Sequence, residues 1–289
     1  MNLKIIVLAK QVPDTRNVGK DAMKKDGTVN RSILPAIFNP EDLNALEQAL
    51  RLKDIHPDTT ITLLTMGPGR AVEIIREGLY RGADRGYLLT DRAFAGADTL
   101  ATSYAIAMAV RKIKDFDLII CGRQAIDGDT AQVGPQVAEK LGLPQITYAE
   151  EILKVDNGRI AVKRRLEQGI EIVESRLPIV ISVNGSASPC RPRNAKLIQK
   201  YKHAKTVSEI QFADANMGEL LSLRPYLNLQ EWGVVDIDAD VRQCGLTGSP
   251  TKVKQIENVV FQTKERKTFE STDTGIEALM KELIVNHTI

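Results

Sequence analysis

Apolar runs of strand length, "KIIVLA", "TITLLTM", "GYLLT" and "DLIICG", recur along the first half of the chain and alternate with stretches of helical periodicity. Continuous apolar runs, rather than in–out alternation, mark strands buried on both faces. The order therefore reads βαβα in a mostly parallel, doubly wound sheet up to about Leu143. The first helix starts at "NPEDLNALEQALRLKD". There Asn39 suits the N-cap, Pro40 the first turn, and Glu41 and Asp42 the positive helix end, while Leu43, Leu46, Ala49 and Leu50 form one apolar stripe. A second helix is predicted from Ala71 to Tyr80, ended near Gly82. A third runs from Asp98 to Lys112, with Ala101, Ala105 and Ala109 along a face that permits close packing.

Beyond this the pattern changes. Asn157-Gly158 lies between β-rich runs and signals a tight turn, which predicts an antiparallel hairpin returning to a core strand at Ile179 to Val183. From Asn184, "NGSASPCRPRNAKLIQKYKHAK" is Pro-rich and then basic, so residues 184–205 are expected to project from an α/β domain of residues 1–225. Residues 226–289 include "LTGSPTKV" and a last amphipathic run, "TGIEALMKELI". They carry too little apolar content for a core of their own and read as an arm with a terminal helix.

Composition narrows the function classes. A chain of 289 residues with net charge +2 and 43% hydrophobic residues is an ordinary globular protein, and nothing in it points to nucleic acid. No run approaches the ~20 apolar residues of a membrane span, and the apolar run near the start is too short for a secretory signal, so a cytoplasmic location is expected. Cys121, Cys190 and Cys244 are odd in number and widely spaced. They read as free, mostly buried thiols rather than disulfides or metal ligands. His56, His203 and His287 accompany no nucleophile motif such as GxSxG, which disfavours hydrolase chemistry.

The candidate chemistry lies in "CGRQAIDGDTAQVGP", Cys121 to Pro135, between an apolar strand and a predicted helix. Ligands of open α/β sheets collect at such carboxyl ends. Gly128 and Gly134 allow tight turns and close approach, Thr130 and Gln132 supply donors, and the following helix offers free N–H groups to an anion. No GxxxxGK[ST] lysine is present, so a phosphate held by backbone is favoured over a triphosphate-hydrolysing loop. The structural alternative is that Asp127 and Asp129 only cap the helix. Met66 reads either as core filler or as a ring contact. Gly96 to Ser103 suits either tight helix packing or the approach of a dinucleotide to a helix start.

The stretches "AKQVPDT", "NPEDLNALEQALRLKD", "TMGPGRA", "GADTLATS" and "GRQAIDGDTAQVGPQVAEKLGLPQ" closely resemble the beta subunit of electron transfer flavoproteins over most of residues 1–183. The resemblance implies a Rossmann-like, adenine-nucleotide-binding fold and a heterodimer with an alpha subunit that carries FAD. The C-terminal arm would embrace that alpha subunit, and this chain would hold AMP or a second FAD. Carried over by position, the contacts would be Leu8, Ala9, Asn39, Pro40, Glu41, Asp42, Met66, and Ala125, Ile126, Asp127, Gly128, Asp129, Thr130, Ala131, Gln132, Val133, Gly134, Pro135 and Gln136. Thr130 to Val133 would lie nearest the phosphates.

"DRAFAGADTLATS" is similar to the electron-bifurcating members, whose beta subunit holds a complete FAD. In that case Gly96, Ala97, Asp98, Thr99 and Thr102 would accommodate the second phosphate and ribityl chain. Electrons would then pass from NADH to the alpha-subunit flavin and to ferredoxin or flavodoxin, with no catalytic side chain. Arg123 is either a tuner of the flavin or a surface ion pair. The family's dehydrogenase-docking motif is missing from "SPCRPRNAKLIQKYKHAK", which leaves Leu197 and Ile198 as apolar anchors. A flavin dehydrogenase of acyl-CoA or lactate type is the implied partner. The basic residues Arg191, Arg193, Lys196, Lys200, Lys202 and Lys205 lack any groove-reading motif, so an acidic protein explains them as well as nucleic acid does.

Overall fold

The structure, a computed structural model, describes residues 1–14, 34–210, 216–251 and 267–286. Residues 15–33 of the long connection before Asn39, residues 252–266 of the arm, and His287 lie outside the described residues. In chain order the first half contains β1 (Lys4–Leu8), β2 (Gln11–Pro13), β3 (Ala36–Phe38), α1 (Pro40–Ile55), β4 (Thr60–Met66), α2 (Val72–Arg81), β5 (Arg85–Leu89), α3 (Thr99–Ile113), β6 (Leu118–Gly122) and α4 (Val133–Leu141). Then follow β7 (Gln145–Asp156), β8 (Arg159–Leu166), β9 (Gly169–Arg176), β10 (Ile179–Val183), α5 (Ala195–Tyr201), β11 (Lys205–Thr206), α6 (Val207–Ile210), α7 (Asn216–Leu223), β12 (Asn228–Trp232) and α8 (Asp273–Val285).

The main sheet has the order β11-β12-β5-β4-β1-β6-β10-β7-β8-β9. Its pairings are parallel from β11 through β7, and only β7–β8 and β8–β9 are antiparallel. Strand order reverses between β1 and β6, because β4 and β5 lie on one side of β1 while β6, β10 and β7 lie on the other. A crevice opens at the carboxyl ends wherever successive connections diverge in this way.

Burial explains the apolar runs. In β1, Ile5 and Val7 face the α1–α2 layer, whereas Ile6 and Leu8 face the α3–α4 layer. Both sets exclude water, so the four residues after Lys4 are all apolar. Leu46, Ala49 and Leu50 from the stripe of α1 enter the first layer, and Ala105 and Ala109 of α3 enter the second. The second helix ends as expected at Gly82, whose φ of 129° closes it with an amide bonded back to Gly78. Asn157 and Gly158, both at positive φ, make the predicted tight turn between β7 and β8. The expected hairpin is a three-stranded meander, since β9 returns beside β8 before the chain enters β10.

Residues 184–205 are tied to the domain at several points, with residues 192–196 and 198–200 exposed. Arg191 bonds through its main chain and side chain to Glu47 and pairs with Asp54 on α1, and Asn194 donates its amide to the Tyr80 carbonyl. Tyr201 and Ala204 are buried. Arg191 thus finds carboxylates on α1 that a reading of neighbours along the chain does not show. Leu197 packs against the core and is no exposed anchor, while Ile198 is 38% exposed.

Within residues 226–289, the first part joins the main sheet. Strand β12 covers the edge of β5, and Val234, Ile237 and Cys244 join the α3–α4 layer. An unpaired strand edge is satisfied in this way. Helix α8 buries none of its residues. Among the described residues no helix is long and apolar enough to cross a membrane.

Candidate functional site

The crevice between β1 and β6 is framed by the start of α1 and the loop 123–132. Asn39 occupies the N-cap position of α1 as predicted, yet its side chain does not cap the helix. Fully buried, it donates to the Gln124 carbonyl at 2.9 Å and accepts from the Ile126 amide at 3.2 Å. Pro40 begins the helix beside it. Glu41 accepts from the Gln124 amide at 3.0 Å and from the Arg123 guanidinium at 3.2 Å. The start of α1 therefore holds three of the first four residues of the loop, Arg123, Gln124 and Ile126.

Asp42 lies deeper. Its two carboxylate oxygens accept from the Lys10 amide at 2.8 Å and the Gly122 amide at 3.0 Å, which joins the carboxyl ends of β1 and β6. Burial pushes its pKa up to about 7, against the lowering effect of those hydrogen bonds and of the Lys10 charge. A Cβ on Gly122 would stand 2.5 Å from the Asp42 carboxylate, so the strand end must be bare for the carboxylate to enter.

Neither acid of the loop caps α4. Asp127 accepts from the Lys10 ammonium at 2.7 Å, and Asp129 accepts from the Gln124 side chain at 3.0 Å. Ala125 accepts the amides of Gly128 and Asp129, closing a tight turn. Asp129 and Ala131 stand at φ of 50° and 52°, a conformation uncommon for residues with a side chain. Helix α4 then starts after Gln132 with no side-chain cap. The amides of its first turn have no partner within the helix, Pro135 excepted, and so point donors at whatever lies before it. Thr130 and Gly128 are exposed there, Val133 packs against the core, and a Cβ on Gly134 would come within 2.7 Å of the Cys121 sulfur. Burial raises the pKa of the Cys121 thiol, which keeps it protonated and inert.

The start of α3 meets that of α4. The Thr99 hydroxyl donates to the Gln132 side chain at 2.8 Å, and the Ser103 hydroxyl donates to Gln136 at 3.0 Å. Unlike α4, α3 is capped: Asp98 accepts from the amides of Leu100 and Ala101. Asp98 also accepts from Thr251, while its own amide donates to Ser249 and Gly96 lies against Leu246. Burial opposes ionisation of Asp98, but the bonds from Thr251 and the helix amides outweigh it and hold the carboxyl below its ordinary range. The Thr102 amide donates to the Asp98 carbonyl inside the helix, and Ala97 is half-buried.

The remaining predicted residues also lie at the carboxyl ends. Leu8 ends β1, Ala9 donates its amide to Leu64, and Met66 ends β4 and packs on the α3–α4 layer. Arg123 pairs with Glu41, and its guanidinium also faces the Tyr148 ring at 5.8 Å. Sequence reasoning missed Lys10, Gln124 and the segment carrying Ser249 and Thr251. Lys10 directly follows a buried strand, a local signal that was there to read, but nothing local ties residues 246–251 to Gly96. Cys121 and Cys244 are buried as expected and Cys190 is half-buried.

The fold and the placement of these loops define a doubly wound α/β protein whose polar chemistry is gathered at the switch point of its sheet. The chain matches the model of the electron transfer flavoprotein domain over residues 26–214. It is 45% identical over 260 residues to an electron transfer flavoprotein subunit beta of Megasphaera elsdenii, covering 88% of this chain and 87% of that one. It is 42% identical over 252 residues to the caffeyl-CoA reductase-Etf complex subunit CarD of Acetobacterium woodii, covering 87% and 86%. Identity reaches 50% over 182 residues with the acryloyl-CoA reductase electron transfer subunit gamma of Anaerotignum propionicum, covering 62% and 67%. The chain belongs to the electron transfer flavoprotein family, among its beta subunits, and its role is electron transfer.

Proposed function

We propose that this chain pairs with an alpha subunit that carries FAD and itself holds a second FAD, by its adenine-nucleotide end, in the β1–β6 crevice. The observation that supports this most is the start of α4, where a helix without a side-chain cap follows a turn with two residues in the left-handed region. A phosphoryl group fits that set of donors, because backbone amides and the helix dipole offset its charge without a lysine. Thr130 to Gly134 would hold it, Asn39 and Glu41 fix the loop that presents it, and Thr99 and Thr102 contribute hydroxyl groups from the facing helix. FAD, when bound, supplies the hydride and single-electron chemistry, and the protein supplies position and exclusion of water.

On this reading the heterodimer is of the bifurcating kind. It takes electrons from NADH and divides them between a flavin dehydrogenase and ferredoxin or flavodoxin. The names of the Acetobacterium and Anaerotignum relatives refer to CoA-linked reductases, which favours an acyl-CoA type of dehydrogenase over a lactate type.

One observation favours AMP in place of FAD. Asp98 already occupies the start of α3, so of the two adjoining helix starts only that of α4 lacks a side-chain cap. The test is to co-express the chain with its alpha subunit, denature the purified complex and count what is released. About two FAD per heterodimer and no AMP are expected; one FAD with one AMP would establish the AMP reading instead.

A further inference from the structure

Residues 245–251 lie against the loop that leads into α3. The Leu246 amide donates to the Ala95 carbonyl at 3.0 Å, and a Cβ on Gly245 would collide with the carbonyls of Ala93 and Ala95. The Asp98 amide donates to the Ser249 hydroxyl at 2.8 Å, and that hydroxyl donates to the Gly245 carbonyl at 2.6 Å. One carboxylate oxygen of Asp98 accepts the Thr251 hydroxyl at 2.6 Å and the Thr251 amide at 3.1 Å, while the other caps α3. The bonds continue past this cap. Thr99, the first residue of α3, donates its hydroxyl at 2.8 Å to Gln132, the residue before α4. Ser103, one turn on, donates to Gln136 at 3.0 Å, and Gln136 donates to Thr99 at 3.4 Å. A continuous path therefore runs from Thr251 through Asp98 and Thr99 to the start of α4.

We propose that Ser249 and Thr251 are positioning residues for the nucleotide cradle, acting through Asp98 and Thr99 on Gln132 and the first turn of α4. The inference rests on the reading that a phosphoryl group sits at that helix start. Backbone donors hold an anion only while their N–H groups converge on it, so a small shift of α4 lowers affinity with every donor still present. Because α4 has no side-chain cap of its own, the bonds of Gln132 and Gln136 to α3 help to set where its first amides point. The start of α3 is in turn fixed by Ser249 and Thr251. Linkage makes the effect reciprocal: residues 245–251 improve nucleotide binding by the same factor by which bound nucleotide stabilises them.

The test uses the heterodimer with its alpha subunit, stripped of nucleotide and titrated calorimetrically with AMP. AMP carries no second phosphoryl group, so Thr99 is read through Gln132 alone. Ser249→Ala combined with Thr251→Val is expected to weaken AMP binding about threefold or more, and Thr251→Ser, which keeps the hydroxyl, to bind as the wild type does. In a Thr99→Val background the same two substitutions should have little further effect. Ile160→Val removes a methyl group from the buried face of β8, away from these bonds, and should lower stability without changing AMP affinity. Adding AMP to the wild type should slow amide exchange at Leu246 and Thr251. Four results would each overturn the proposal while AMP still binds: unchanged affinity in the variant lacking both hydroxyls, equal weakening by Ile160→Val, simple additivity with Thr99→Val, or exchange at Leu246 and Thr251 indifferent to AMP. The exchange measurement needs no substitution, so it decides the matter even where a variant fails to fold. Failure of the wild-type heterodimer to bind either AMP or FAD would remove the cofactor reading, and this inference with it.

Discussion

The Asp42 carboxylate accepts the Gly122 amide at 3.0 Å, and through its other oxygen it also holds Lys10, so one buried acid joins the two strand ends between which the sheet reverses order. Burial raises its pKa to about 7 in the folded protein, above its ordinary value of 3.8. The folded state therefore binds the proton more tightly than the unfolded chain does. This contribution to stability is complete below the ordinary value and is lost as pH rises through about 7. Urea midpoints measured from pH 5 to pH 8 should show wild type with its largest advantage over Asp42→Asn near pH 5 and its smallest near pH 8. A difference that stays constant with pH would mean that Asp42 titrates normally.

Gly134 packs where a Cβ would stand 2.7 Å from the Cys121 sulfur. Both partners belong to rigid elements, so Gly134→Ala must push α4 away from β6 and should cost about 1–3 kcal/mol. Cys121→Ala removes the sulfur, and the double variant should recover most of that loss in urea denaturation. Failure to recover would place the strain elsewhere.

Asn39 is completely buried and bonds through its side chain to the loop, at Gln124 and Ile126. Asn39→Ala leaves a part-buried carbonyl and a part-buried amide without these partners, at a cost of about 1 kcal/mol or more. Amide hydrogen exchange should accelerate at residues 124–126 first, and nucleotide retention by the heterodimer should fall with it.

The Lys10–Asp127 pair crosses the same crevice at 2.7 Å, but the lysine side chain is 48% exposed. Solvent screening limits such a pair to about 0–1 kcal/mol, so Lys10→Ala should change stability far less than Asn39→Ala does. Its small effect should vanish at high salt, which denaturation at two ionic strengths would show.

Much of this architecture was legible along the chain. Strand-length apolar runs mean strands buried on both faces, and such strands pair in parallel with helices over them. Asn39-Pro40 marks a helix start, and the glycines with Asp127 and Asp129 mark a turning loop after a buried strand. Those inferences use only neighbours in sequence and the burial that each residue type prefers.

The partners of the polar groups were decided by the tertiary structure. Asn39 has the chemistry of a cap, and only the arrival of residues 124–126 beside it redirects its bonds. Asp98 caps α3 as its type suggests, but the bonds it accepts from Thr251 come from far along the chain. Arg191 belongs to a stretch that reads as a projecting basic loop, and it is drawn down onto Glu47 and Asp54 of α1. A side chain's type limits which bonds it can form. Which bond it does form depends on the groups that strand order brings within about 3 Å, and that proximity is a property of the folded chain alone.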